Sequence, residues 1–147
     1  MDACGGSISG KGIGDDKMIL ITGGAYQGKR KFAGERFGIS EEKMLDGGVC
    51  SFDEVFSAEC VYGYHKLIKR LMAQGEDPVR YTERLCRENS GMILILDEVG
   101  CGIIPLDKGE RQWREQTGRC GCTAAGHSVQ VWRVTCGIAQ IIKGEEI

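Results

Sequence analysis

The sequence predicts an α/β fold with a mainly parallel sheet, and three observations carry that expectation. A short apolar run, Met18 to Ile21, enters a glycine-rich turn that leads straight into a helix-compatible segment. A second run, Met92 to Leu96, places five apolar residues in a row, the mark of a strand buried on both faces. Between and after these runs, apolar residues recur at helical spacing. Strands that alternate with helices build layered α/β domains.

At 147 residues the chain has single-domain length. A domain of this size buries about two-thirds of its unfolded surface. The formal net charge of −2 gives no electrostatic reason to expect nucleic acid. No apolar run approaches the ~20 residues of a membrane span. The eight cysteines, beside a nucleotide-type motif and no secretion signal, read as free thiols of a reducing, cytoplasmic setting. Cys120 and Cys122 form the one close pair, which lacks the second pair that a zinc site needs.

The elements follow in order. Residues 1–17 are rich in Gly and Ser and read as a flexible leader, with 18–147 as one domain. The leader has no apolar centre and does not read as a signal peptide. Its Gly5, Gly10 and Lys11 repeat a glycine-lysine spacing, but no strand precedes them. Met18 to Thr22 reads as a strand, and Lys29 to Phe37 as a helix stopped by Gly38. A short strand is expected at Lys43 to Leu45. Ser51 and Glu54 have capping-box spacing. The apolar series Val55, Phe56, Cys60, Tyr64, Leu67, Ile68, Leu71 then predicts one long helix or two short ones, interrupted near Gly63 and ended by Gly75. Pro78 opens a further helix to about Glu88. After the Met92–Leu96 strand, Gly100, Gly102 and Pro105 predict a loop. Lys108 to Thr117 reads as a helix that can continue towards Gly126. Val129 to Cys136 and Ile138 to Ile142, joined at Gly137, close the chain as two strands.

The turn after the first strand carries the chemistry. Gly23, Gly28 and Lys29 hold the spacing G-x-x-x-x-G-K of a phosphate-binding loop, spanning Gly23, Gly24, Ala25, Tyr26, Gln27, Gly28 and Lys29. Phosphate oxygens need several backbone N–H groups at once, and glycine lets the chain wrap that closely. The following helix adds its unpaired N–H groups and its positive dipole end. Lys29 would reach the β and γ phosphates as a point charge. Arg30 stands where Ser or Thr normally ligates Mg²⁺. A guanidinium cannot coordinate a cation, so Arg30 adds charge or contacts phosphate itself. The expected fold is therefore a P-loop NTPase-like three-layer α/β fold. The competing reading is a tight strand-to-helix turn that binds nothing.

Ligands of open α/β sheets sit at the carboxyl ends of strands. Asp97 and Glu98 end the second apolar run and are candidate Mg²⁺ residues, directly or through water; a solvated acidic turn is the alternative. His65 and His127 are the only histidines. His65 is the candidate catalytic one, against a structural role inside a helix. Arg114 and Arg119 are candidate phosphate or substrate contacts, against an exposed helix face balanced by Glu110 and Glu115.

Several stretches resemble one family. Ile-Leu-Ile-Thr-Gly-Gly-Ala-Tyr-Gln-Gly-Lys, from Ile19 to Lys29, resembles the opening of the bifunctional adenosylcobinamide kinase/adenosylcobinamide-phosphate guanylyltransferase. Glu98-Val99-Gly100-Cys101-Gly102-Ile103-Ile104-Pro105 resembles its Glu-Val-Gly-x-Gly-[IV]-[IV]-Pro. Arg114 to Arg119 resembles its Arg-[DE]-x-x-Gly-Arg, and Val131 to Val134 with Gly137-Ile138 its closing strands.

The resemblance implies a P-loop fold, a homo-oligomer, and work in cobalamin assembly with GTP or ATP and Mg²⁺. It implies phosphorylation of the aminopropanol hydroxyl of adenosylcobinamide, then guanylyl transfer through a covalent histidine. By position, Gly23 to Lys29 would cradle the triphosphate, and Glu98 would serve near the metal or the acceptor. Three departures matter. Arg30 replaces the Mg²⁺-ligating hydroxyl, no histidine lies between Lys29 and Tyr64, and Asp97 and Gly121 replace two asparagines of the pattern. The expectation is a nucleotide-dependent kinase with guanylyl transfer reduced or absent. The alternatives are a module that binds nucleotide or corrinoid without turnover, or a fold that has lost its ligand.

Overall fold

The computed structural model of the chain describes residues 17–99 and 107–145. The leader reading of residues 1–16, with Gly5, Gly10 and Lys11, lies outside the described residues, as does the expected loop at Gly100, Gly102 and Pro105. The elements run β1 (Ile19–Gly23), α1 (Lys29–Phe37), β2 (Met44–Asp46), β3 (Cys60–Tyr62), α2 (Tyr64–Ala73), α3 (Pro78–Glu88), β4 (Ile93–Asp97), α4 (Lys108–His127), β5 (Gln130–Thr135) and β6 (Ile138–Lys143). The strands form one sheet in the order β2-β3-β4-β1-β5-β6. All neighbours pair parallel except β6, which returns antiparallel along β5. This is the P-loop NTPase-like three-layer α/β architecture.

The pleat of β1 sorts its side chains between two cores. Ile19 and Ile21 face the layer of α1, with Ala33, Ile93, Ile95, Trp132 and Val134. Met18 and Leu20 face the opposite layer, with Leu67, Ile68, Leu71, Leu85, Leu94, Leu96 and Ala124 from α2, α3, β4 and α4. Each fully buried aliphatic side chain stabilises the fold by about 1.5–3 kcal/mol, so these two faces hold the sheet between its helices. Phe32 on α1 packs 5.0 Å from the Trp132 ring, and Arg36 lies 5.6 Å over the same ring. Helix α1 is thereby fixed against β5.

The expected helices and strands form, with boundaries moved by a residue or so. Gly38 ends α1 in the left-handed region (φ 72°), and Pro78 opens α3 behind an Asp77 cap that accepts from Val79 and Arg80 N–H. Helix α4 runs its full possible length to His127.

One stretch needs correction. The series from Val55 to Leu71 is not one long helix or two helices. It is a short 3-10 turn (Glu54–Ser57), strand β3, then helix α2. The Ser51–Glu54 capping box does form, with Ser51 N–H to Glu54 Oε1 at 2.8 Å and Glu54 N–H to Ser51 Oγ at 3.2 Å. It opens only the 3-10 turn. Cys60 and Val61 are fully buried between β2 and β4, and Gly63 in the left-handed region (φ 66°) restarts the chain as α2. Sheet pairing overrode helical spacing there. Among the described residues no helix is long and apolar enough to cross a membrane.

Candidate functional site

The parallel strands deliver their carboxyl ends to one edge of the sheet. Strand β1 lies between β4 and β5, the point where the strand order turns, and α/β sheets bind ligands at such points. The loop between β1 and α1 sits there. Gly28 adopts φ 94° and Tyr26 φ 60°, so the chain coils before α1 begins at Lys29. The β5–β6 turn braces the loop from behind. Gln27 Oε1 accepts the Cys136 N–H, and Gln27 O accepts the Gly137 N–H at 2.9 Å. Tyr26 is fully exposed.

A cleft of about 470 Å³ opens in front of the loop. Ala25 to Lys31 line it from one side, Asp46, Tyr62, Gly63, His65 and Lys66 from the other, and Asp97 closes its floor. Gly23 and Gly24 lie at the strand end behind it. The structure therefore brings together the glycine-rich loop, Asp97 and His65.

Lys29 is only 6% exposed. Its ammonium donates to the Gly24 carbonyl at 2.6 Å and pairs with Asp97 Oδ1 at 2.7 Å. A buried ammonium needs such partners, because desolvation of an unpaired charge is costly. The pairing of β1 with β4 sets this contact by aligning Gly23 with Asp97.

His65 enters from the first turn of α2. Its Nε2 stands 3.6 Å from the other oxygen of Asp97. Burial lowers its pKa from 6.5; Asp97 works upward against that, and Lys66 and Lys29 add to it. His65 is therefore neutral at neutral pH, and its approach to Asp97 is not an ion pair. Its Nδ1 is buried without a partner. The Trp113 indole N–H donates to the His65 carbonyl at 2.8 Å and ties the turn to α4.

Arg30 reaches across the cleft mouth and lies 3.9 Å over the Tyr62 ring at the end of β3. Asp46 Oδ1 accepts the Gly48 N–H at 2.8 Å, and Arg70 holds the same turn through the Gly47 and Cys50 carbonyls, both at 2.7 Å. Asp46, Tyr62 and Lys66 were not singled out from the sequence. Only the end of a strand marks the first two, and those strands are three residues long.

The other candidates sit elsewhere. Glu98 turns away from the cleft and is clasped by Arg133, at 2.9 and 3.0 Å. Arg119 pairs with Glu115 at 2.7 Å on exposed α4 and lines a separate cleft beside α3. Arg114 is on the same helix and does not line the phosphate-loop cleft.

Magnesium wants an octahedron of oxygens at about 2.0–2.1 Å. The residues at the cleft do not fit that demand. Position 30 offers a guanidinium in place of a ligating hydroxyl, Glu98 is held by Arg133, and Asp97 is paired with Lys29 while no phosphate takes the ammonium. Among the described residues no three His, Cys, Asp or Glu side chains converge as a metal site. Burial pushes the Cys60 thiol up to about 12 and those of Cys86 and Cys120 to about 11. These thiols stay protonated and offer no reactive sulfur near the cleft.

A family model described as cobinamide kinase / cobinamide phosphate guanyltransferase matches residues 65–142. The match spans just over half of the chain, from His65 to the last strand. The phosphate loop lies before it. No curated protein matches the chain.

Proposed function

The chain belongs to the cobinamide kinase / cobinamide phosphate guanyltransferase family of cobalamin assembly, whose proteins use ATP or GTP, and on that footing we propose that it is a nucleotide-dependent kinase for the hydroxyl of adenosylcobinamide. The observation that carries this reading is one cleft that joins the Gly23–Lys29 loop to Asp97. The loop binds the triphosphate through its N–H groups and the start of α1. Lys29 exchanges Asp97 for the phosphates, and the freed carboxylate takes the proton of the attacking hydroxyl. The hydroxyl oxygen bonds to the γ phosphorus as the bond from that phosphorus to the β–γ bridging oxygen breaks, and the nucleoside diphosphate leaves.

Guanylyl transfer is not part of the proposal. His65 lines the cleft but has little exposed surface and a lowered pKa, with Nε2 turned to Asp97 and its ring 6.2 Å from that of Trp113. On this reading the chain is a homo-oligomer, as the family resemblance implies, and its free thiols suit a reducing cytoplasm. Arg30 in place of a metal-ligating hydroxyl favours a second reading, a module that holds nucleotide or corrinoid without turnover. Phosphate transfer from labelled ATP or GTP to adenosylcobinamide separates the two: labelled product supports the kinase, and binding without product supports the module.

A further inference from the structure

We propose that the cleft takes its polyphosphate as the metal-free anion, with the Arg30 guanidinium in place of a divalent cation. This rests on the phosphate-site reading above and adds the ionic form of the ligand.

Four cationic side chains, Lys29, Arg30, Lys31 and Lys66, line the cleft against two carboxylates, Asp46 and Asp97. Asp97 already neutralises Lys29, and Asp46 is turned to the Gly48 N–H. The surplus is positive. A dication entering beside Arg30 would meet repulsion and no free oxygen ligand from that position.

Arg30 is also pre-positioned. It follows Lys29 directly in the first turn of α1, so its side chain starts where the anion's charge is greatest. The Tyr62 face holds it at 3.9 Å, and among the described residues no carboxylate pairs with it. A guanidinium kept planar on an aromatic face presents a two-pronged N–H edge that matches two phosphate oxygens. Such stacking offsets the entropy of fixing a long side chain.

The test is calorimetric titration of the full chain with ATP and with GTP, once in EDTA and once in excess magnesium. The expected result is affinity in EDTA equal to or higher than in magnesium. Arg30→Ser should weaken binding in EDTA by about tenfold, as loss of a charge-assisted contact does, and reverse the preference towards magnesium. Tyr62→Leu, which keeps the charge and removes its support, should weaken binding in EDTA while leaving no magnesium preference. Circular dichroism checks that both variants fold. Wild-type binding that requires magnesium overturns the inference alone, as does an Arg30→Ser variant that binds in EDTA like the wild type. Wild-type failure to bind in either buffer overturns the phosphate-site reading itself.

Discussion

A Cβ added at Gly23 would stand 2.4 Å from the carbonyl oxygen of Val134. The last residue of β1 thus presses on the backbone of β5, and that contact sets where the phosphate loop leaves the sheet. Gly23 also has φ 148°, a conformation L side chains rarely adopt. Gly23→Ala should therefore cost about 1–3 kcal/mol, as overpacking in a tight site does. Urea unfolding measures it. A midpoint equal to the wild type would mean that β1 and β5 separate without cost.

Lys29→Ala tests the loop directly. The ammonium is anchored on both the loop, at the Gly24 carbonyl, and β4, at Asp97. Its removal should weaken ATP or GTP binding by about 2–5 kcal/mol, the range for truncating a buried charge contact. Titration in parallel with a melting curve distinguishes lost contact from lost fold. Retained affinity would put the nucleotide elsewhere on the molecule.

The turn between β1 and α1 was legible in the sequence because its spacing is local. Four residues between Gly23 and Gly28, with Lys29 next, fix a turn whatever the rest of the chain does. Strand β4 was legible for a similar reason: five apolar residues in a row have nowhere to go but a sheet interior. Strand β3 was not legible. It has three residues, and Cys60 falls in step with the helical series that continues into α2. Only its neighbours β2 and β4 make it a strand, and those contacts are long-range. The error spread to the site, since Tyr62 belongs to that strand and faces Arg30. Glu98 shows the converse. Its place after β4 suggested a ligand-facing carboxylate, yet β5 brings Arg133 beside it, 35 residues away in sequence. A charge partner at that distance leaves no local trace. The cap at Asp77 before Pro78 is the opposite case, a short-range signal that gave α3 its start.

Stability should depend on pH through His65. Burial lowers its native pKa below the ordinary 6.5. As pH falls below that value the unfolded chain takes up the proton first, and the native state is penalised. The stabilisation from the neutral imidazole is complete above the unfolded pKa and is lost as pH falls through the lower native one. Melting temperature should be lower at about pH 5.5 than at about pH 7.5, across the range where histidine titrates. His65→Gln should narrow that difference. An undiminished difference in the variant would assign the acid sensitivity to other groups.

The family's second reaction supplies the sharpest negative test. Guanylyl transfer through histidine needs an imidazole nitrogen that reaches the α phosphorus, displaces pyrophosphate as the bond to the α–β bridging oxygen breaks, and holds the guanylyl group as a phosphoramidate. His127 ends α4 and lines none of the clefts beside the loop. His65 has one nitrogen turned to Asp97 at 3.6 Å and the other buried. The Trp113 indole N–H holds its backbone carbonyl at 2.8 Å, and the ring is little exposed. Incubation with GTP labelled at the α phosphate, followed by denaturing electrophoresis, should leave no acid-labile label on the chain. Label that vanishes in His65→Ala would show that this imidazole reaches the α phosphorus, and would return the guanylyl transfer to the protein.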